Sequence, residues 1–325
     1  MTDRSRTELN LTPKPVDGPL SPDDYFALHA PAPGVRPYRR LGLGTASLGR
    51  TYGGPERAEG IEALHAAWRE GFALVDTAPG YGPAELLLSE ALAQWRGERP
   101  VVATKTAQRN PDLSAVIEQY ERSVERLGEI DLLAVHDARR FFPPEARTSI
   151  ADYVSGLLSK GRIQAAGLGG GGPVVQAQWL EAGLFRYLIT FNRLGVLSLQ
   201  ALEDTVPLAR RHGAAIFAAS PVFMGLMGGR QPELLDDPPR YHPPVFIERA
   251  RAAIRIAEEW SISPSHLAIR FLLSMPGVDA VLSGAASPAE WADVRAAYEA
   301  GPLPAELYGQ IWQLAQRGAE PMTGG

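Results

Sequence analysis

Short, nearly uninterrupted apolar runs recur along the chain: LGLGTA (41–46), FALVD (72–76), PVVATK (100–105), DLLAVHD (131–137), RIQAAGLG (162–169), YLITFN (187–192), AAIFAAS (214–220) and VDAVLSG (278–284). A strand with one wet face alternates apolar and polar residues. A strand that is apolar throughout is buried on both faces, as in a parallel sheet covered by helices. Amphipathic stretches of helical length lie between most of these runs. RAEGIEALHAAWREG (57–71) gathers Ile61, Leu64, Ala67 and Trp68 on one face and ends on a glycine suited to follow a helix. In NPDLSAVIEQYERSVERLG (110–128), Asn110 is placed to cap a helix and Gly128 to end it. Further helices are expected over roughly 148–160, 173–182, 200–212 and 244–260.

Strand–helix units that follow one another without a linker predict an α/β fold, a single (β/α)8 TIM barrel with an N-terminal extension. The barrel is expected over residues 37–318. Residues 1–36, rich in proline and polar groups, read as an extended, partly disordered arm with a short helix around Tyr25–His29, and 319–325 as a flexible tail. The Gly- and Pro-rich segment 221–244 reads as a long loop on the substrate side.

Composition narrows the function. The chain has 325 residues, 45% of them hydrophobic, enough to bury a sizeable core. Its net charge of −5 and its lack of a basic tract give no reason to expect a nucleic-acid partner. With no cysteine, disulfides, thiolate metal sites and cysteine nucleophiles are excluded. No run approaches the length of a membrane span, and MTDRSRTELN lacks the apolar core of a signal peptide, so a soluble, cytoplasmic protein is expected. The histidines at 29, 65, 212, 242 and 266 show no ligand spacing, and no metal site is expected. His65 and His212 fall within helices as surface or packing residues, whereas His242, in the long loop, is a candidate to touch substrate.

The candidate chemistry lies at strand ends, where barrel enzymes carry their catalytic groups. Three consecutive strands end in Asp76, Lys105 and His136, and Tyr81 follows the first of them across the turn in VDTAPGYGPAE (75–85). A strand-end acid often does no more than cap the next helix; four such groups in order on one barrel face carry more weight. A buried lysine needs a counter-ion, and Asp76 on the adjacent strand supplies one. Free tyrosine has a pKa of about 10, which a neighbouring ammonium lowers, so Tyr81 beside Lys105 becomes a usable acid and base. His136 is suited to orient a substrate oxygen or relay a proton. None of these groups supplies a hydride, so a nicotinamide cofactor is implied.

LGLGTASLG, VDTAPGYGPAELLLSEAL, VATK, IDLLAVHD, KGRIQAAGLG, ASPVFMGLM and VLSGAASPAE, taken in order, resemble the successive signatures of the aldo-keto reductase family over nearly all of residues 38–318. The resemblance implies that Tyr81 is the general acid/base, Lys105 and Asp76 its tuning pair, and His136 the substrate-orienting residue. AASPVFMGLM and RYHPP are most similar to the L-galactose/L-fucose (aldose) dehydrogenase branch. The resemblance further implies cofactor contacts at Gly44, Thr45, Ala46, Asp76 and Gly169. It adds a phosphate cradle at Ser220, Pro221, Met224, Gly225 and Leu226, and a third group at Ser283, Gly284, Ala285, Ser287 and Glu290.

The sequence departs from the family at several of these contacts. The Ser-Asn pair that grips the carboxamide falls on Gly169 and Gly170, the usual glutamine near Leu188, and the stacking tyrosine on Ala219, which leaves Phe223 or Met224 to cover the ring. Gly284 and Glu290 stand where NADPH-preferring reductases carry cations, so NAD is favoured over NADP.

The expected substrate is a small sugar or other carbonyl compound, most simply an aldose oxidised at C1. Reduction of an aldehyde or ketone is the alternative within the family, and a regulatory subunit with little catalysis the alternative of another class. The protein is expected to be a monomer or small homo-oligomer. GLGGGG (167–172) also matches a dinucleotide-binding glycine pattern, but Asn192 stands where the acid should follow; these glycines are expected to be a close-approach loop under the cofactor. Trp68, Trp260 and Trp291 are expected to pack helices on the barrel. Arg139, Arg140, Phe141 and Phe142 either line the pocket or pack their loop.

Overall fold

Each of the eight apolar runs forms a strand, and the strands close on one another in chain order. They are β3 (Leu41–Gly44), β4 (Leu74–Asp76), β5 (Val101–Thr106), β6 (Leu132–Val135), β7 (Ala165–Gly169), β8 (Phe185–Phe191), β9 (Ala215–Ala219) and β10 (Ala280–Gly284), all parallel, with β10 pairing back onto β3. Two short strands, β1 (Leu28–His29) and β2 (Tyr38–Arg39), form an antiparallel pair outside the barrel. The helices are α1 (Pro22–Phe26), α2 (Arg57–Arg69), α3 (Ala84–Gln94), α4 (Leu113–Leu127), α5 (Pro144–Ser159), α6 (Gly172–Leu180), α7 (Thr205–Arg211), α8 (Pro244–Glu259), α9 (Pro264–Leu273), α10 (Pro288–Glu299) and α11 (Ala305–Gln316). The structure, a computed structural model, describes residues 18–49, 57–106, 112–136, 138, 143–229 and 232–316. Residues 139–142, the tail 319–325 and the first part of the arm lie outside the described residues.

Helix ends follow capping chemistry. The cap of α4 is Asp112, whose carboxylate accepts from Ser114 N at 2.8 Å; the expected cap, Asn110, lies outside the described residues. Gly128 ends this helix with φ +74°, donating to Val124 O at 2.8 Å. Proline at the first helical position starts α5 at residue 144, earlier than its apolar pattern indicates, because proline's missing N–H is no loss there. Asp204 caps α7 and starts it at Thr205, later than expected, leaving Gln200–Leu202 as a single 3-10 turn.

The core has two layers. Between sheet and helices lie residues such as Val75, Leu133, Leu168 and Leu188, together with Trp68 and Trp291. Inside the barrel, Leu74, Val101, Ala103, Leu132, Ala134, Tyr187, Ile189, Phe217 and Leu282 fill the axis. Tyr187 stacks on Phe217 with centroids 4.8 Å apart. It fits because its neighbour on β7 is Gly167, where a Cβ would come within 2.3 Å of the tyrosine ring.

From residue 18 onward the N-terminal segment is not an extended arm. Tyr25 is fully buried beside Tyr298, Leu20 N donates to Ser274 O at 2.8 Å, and Val35 joins the inner cluster with Tyr38. A few apolar anchors, diluted among prolines and charges, hold this segment against the barrel end away from the strand C-termini. Arg40, 1% exposed, donates there to the carbonyls of Leu273, Met275 and Val278.

Candidate active site

Side chains alternate along a strand, so the inner cluster fixes which residue of each strand faces the axis. Counting by two to the C-terminal ends gives one last inward position per strand. Asp76, Lys105 and His136, at the ends of β4, β5 and β6, occupy three of them, and Phe191 of β8 a fourth. Gly44, Gly169, Ala219 and Gly284 occupy the rest. The mouth therefore carries reactive groups on one arc and an aromatic wall across from β4. Small residues between them leave room for a flat ligand.

Lys105 Nζ donates to Asp76 Oδ2 at 2.6 Å and to Thr77 O at 2.8 Å. The lysine and aspartate side chains are 2% and 7% exposed, so water screens this pair little. Burial alone would push the Lys105 ammonium down; the charges of Asp76 and Tyr81, with hydrogen bonds to both, more than offset it, and the net shift is upward. Burial also pushes Asp76 upward, opposed by the charge of Lys105 and by its hydrogen bond. Nζ lies 4.7 Å from the Tyr81 ring centroid, and the Tyr81 and His136 rings meet edge to face at 5.6 Å. The turn that separates Asp76 from Tyr81 is pinned by Thr77 N donating to Ala103 O and Tyr81 N to Ala78 O. Tyr187 offers a contrast within the same barrel: burial, then the charges of Asp76 and Tyr38, push its phenol far above the ordinary value.

The glycine run after β7 approaches backbone, and its partner is the end of β6. A Cβ at Gly169 would sit 2.7 Å from His136 O and one at Gly171 would sit 1.9 Å from Ala138 O. Ala138 N donates to Gly169 O at 3.1 Å. The loop therefore seats the segment that carries His136.

The residues expected at the cofactor are distributed around the mouth. Gly44 and Gly284 pair in register, and beside them the buried hydroxyls of Thr45 and Ser47 have no hydrogen-bond partner among the described residues. Ala46 lies in the same 3-10 turn. Ser220, Phe223, Met224 and Gly225 all take positive φ, and Met224 N donates to Ser220 Oγ at 2.9 Å, so Ser220–Leu226 forms a tight turn above β9 that includes Pro221. Non-glycine residues in that conformation cost energy and gather at functional sites. Ser283 and Ala285 are buried, Ser283 on the helix-facing register. Ser287 caps α10 by accepting from Glu290 N at 3.3 Å. Glu290 returns a hydrogen bond, accepting at 2.8 Å from the N–H of Ala286, the residue before the cap, so one carboxylate oxygen is engaged at the helix start. Orphaned hydroxyls, paired glycines and the left-handed turn on one rim fit a dinucleotide.

One sequence expectation changes. Phe223 does not cover a ligand: it is fully buried against Phe246, and a Cβ at Gly195 would meet its ring at 2.8 Å. Leu188 points into the layer between sheet and helices, not into the mouth. The groups that reach the rim from that strand are Phe191, 49% exposed, and Asn192, at φ +53° with a buried Oδ1 that has no partner among the described residues. The alternation Tyr187, Ile189, Phe191 was the signal for the first of these. His242, buried in the long loop against Tyr241, is pushed down by desolvation.

Residues 40–316 match the Aldo/keto reductase family profile. The chain is 27% identical over 281 residues to Aldo-keto reductase YhdN of Bacillus subtilis (strain 168), covering 77% of this chain and 82% of that one. It is 25% identical over 305 residues to D-threo-aldose 1-dehydrogenase of Pseudomonas sp, covering 83% and 92%. The solved glycerol dehydrogenase AKR11B4 from Gluconobacter oxydans shares the fold, with a TM-score of 0.76 and 23% identity over 93% of this chain and 99% of that one.

Proposed function

The chain belongs to the aldo/keto reductase family of nicotinamide-dependent oxidoreductases that act on small carbonyl compounds and alcohols, and on that premise we propose that it oxidises an aldose at C1, with Tyr81 as general acid/base. The observation that carries the reading is the Lys105 ammonium, held at 2.6 Å by Asp76 and lying 4.7 Å from the Tyr81 ring centroid. A cation so held stabilises the phenolate over the phenol.

Thr45, Ser47, the Ser220–Leu226 turn and the α10 start would hold a nicotinamide dinucleotide, which when bound supplies a hydride acceptor or donor. Tyr81 takes the proton of the C1 hydroxyl, and His136, edge-on to it, orients that oxygen. The substrate loses one proton and one hydride and becomes a lactone. Run in reverse, Tyr81 donates its proton to a carbonyl oxygen. The relative that acts as an aldose 1-dehydrogenase aligns over 83% of this chain, which favours a sugar. Gly284 and Glu290 favour NAD, since the rim there offers a carboxylate and no cation at those two positions for a 2′-phosphate.

The test is a panel of free aldoses with NAD and NADP, and of simple aldehydes with NADH and NADPH, followed by the absorbance of the reduced nicotinamide. Turnover of at least one aldose is expected, and Tyr81→Phe is expected to lower it by roughly a hundredfold or more while NADH still binds. Near-normal turnover by Tyr81→Phe removes the assignment.

A further inference from the structure

Glu85 is a charged residue with no place in the chemistry above, yet it is 1% exposed. It stands in the first turn of α3, four residues after Tyr81. Its Oε1 accepts from Thr104 Oγ1 at 2.9 Å and from Ser123 Oγ at 2.8 Å, and its Oε2 accepts from Arg126 at 2.9 Å. Thr104 immediately precedes Lys105 on β5, and both threonine and serine are fully buried. The backbone is continuous on the other side: Ala84 N donates to Tyr81 O at 3.2 Å.

An acid in a helix's first turn interacts well with the helix dipole while still facing water. A buried carboxylate adds no stability that an apolar residue of the same size would not match. What Glu85 adds is a fixed geometry. Helix α3 begins where the catalytic turn ends, and this carboxylate bolts that start to the strand that carries the lysine.

We propose that Glu85, through Thr104, is a positioning residue that sets the distance between Tyr81 and Lys105. The inference rests on Tyr81 being the acid/base. Misplacement of reacting groups by an ångström can lower a rate about a hundredfold without touching ground-state binding.

The experiment compares four variants with the wild type, using the best substrate of the aldose and aldehyde panel, NADH and NADPH titration by fluorescence, and thermal denaturation. Thr104→Val removes the link to the lysine strand. Ser123→Ala removes an equivalent hydrogen bond from the same carboxylate, but one that leads to α4. Glu85→Leu removes the link altogether, and Glu85→Gln keeps the acceptor that Thr104 uses. Thr104→Val and Glu85→Leu are expected to lose roughly tenfold to a hundredfold in kcat with dinucleotide Kd within about twofold of wild type. Glu85→Gln is expected to recover most of the loss, and Ser123→Ala to keep kcat while losing some thermal stability. If Thr104→Val turns over like the wild type, or if Ser123→Ala and Thr104→Val lose kcat equally, Glu85 has only a structural role. Tyr81→Phe in the same panel separates the two readings: its retention of turnover removes the acid/base assignment itself.

Discussion

Lys105 and Asp76 form a 2.6 Å ion pair at the mouth of the barrel, with the two side chains 2% and 7% exposed. Neither charge is stable there without the other. Lys105→Met should therefore destabilise the fold by about 3–5 kcal/mol, because it leaves an uncompensated buried carboxylate. Adding Asp76→Leu should restore most of that stability, since replacing a whole buried pair with apolar side chains is close to neutral. Turnover should stay lost in both. Urea denaturation and steady-state kinetics on the single and double variants separate the two effects; recovered turnover in the double variant contradicts the role given to the lysine.

Gly171 and Gly172 are neighbours with positive φ, +92° and +69°, but only Gly171 is pressed against another chain segment. Gly171→Ala brings a methyl within 1.9 Å of Ala138 O, so the loop that seats His136 has to move. Gly172→Ala meets nothing within 4 Å and suffers only the left-handed backbone cost of about 1–2 kcal/mol. The expected order of melting temperature is wild type, Gly172→Ala, Gly171→Ala. Only the last should also lose kcat.

Much of this site was readable from the chain because strands alternate. Asp76, Lys105 and His136 end three consecutive apolar runs, and the period of two that buries Val75 outward turns the strand-end acid inward. Phe191 obeys the same rule, but an aromatic at the end of an apolar run looks like core. Phe223 misleads in the opposite direction: with Ala219 at the position of the family's stacking tyrosine, a nearby aromatic looks like a substitute cover for the ring, whereas Gly195 leaves room for it in the core. Glu85 stood in the very stretch that drew attention to Tyr81, but its partners Ser123 and Arg126 are 38 and 41 residues distant in sequence. Contacts at that range leave no local pattern. The N-terminal segment departs from its composition for a related reason: composition averages over many residues, and a few apolar anchors, Tyr25 among them, hold it.

Two histidines are expected to make the fold sensitive to acid. His29 is pushed down by burial and by the charge of Arg40, then of Arg210, with Asp279 opposing them; His242 is pushed down by burial. In each case the unfolded chain binds the proton more readily than the folded one. Their contribution to stability is therefore complete above the ordinary histidine value of 6.5 and is lost as pH falls through the lower folded values. The melting temperature of wild type should drop between about pH 7 and pH 5, and the double variant His29→Gln, His242→Gln should show a shallower slope over that range. An unchanged slope would assign the acid sensitivity to other groups.

Glu290 separates capping from cofactor choice. Its carboxylate accepts from Ala286 N at 2.8 Å, while its charge stands at the start of α10 beside Gly284. Glu290→Gln keeps an oxygen that can accept the same backbone hydrogen bond and removes only the charge. The hydrogen bond from Ala286 N is then preserved and the melting temperature should change little. If the charge disfavours a 2′-phosphate, the ratio of kcat/KM for NADP to that for NAD should rise about twofold to fivefold, a like-charge contact at a partly exposed site being worth roughly 0.5–1 kcal/mol. Glu290→Arg should raise the ratio further by giving the phosphate a cationic partner, at some loss of stability from the broken cap. A ratio that moves in neither variant would leave Glu290 as a cap alone and place the origin of cofactor preference elsewhere on the rim.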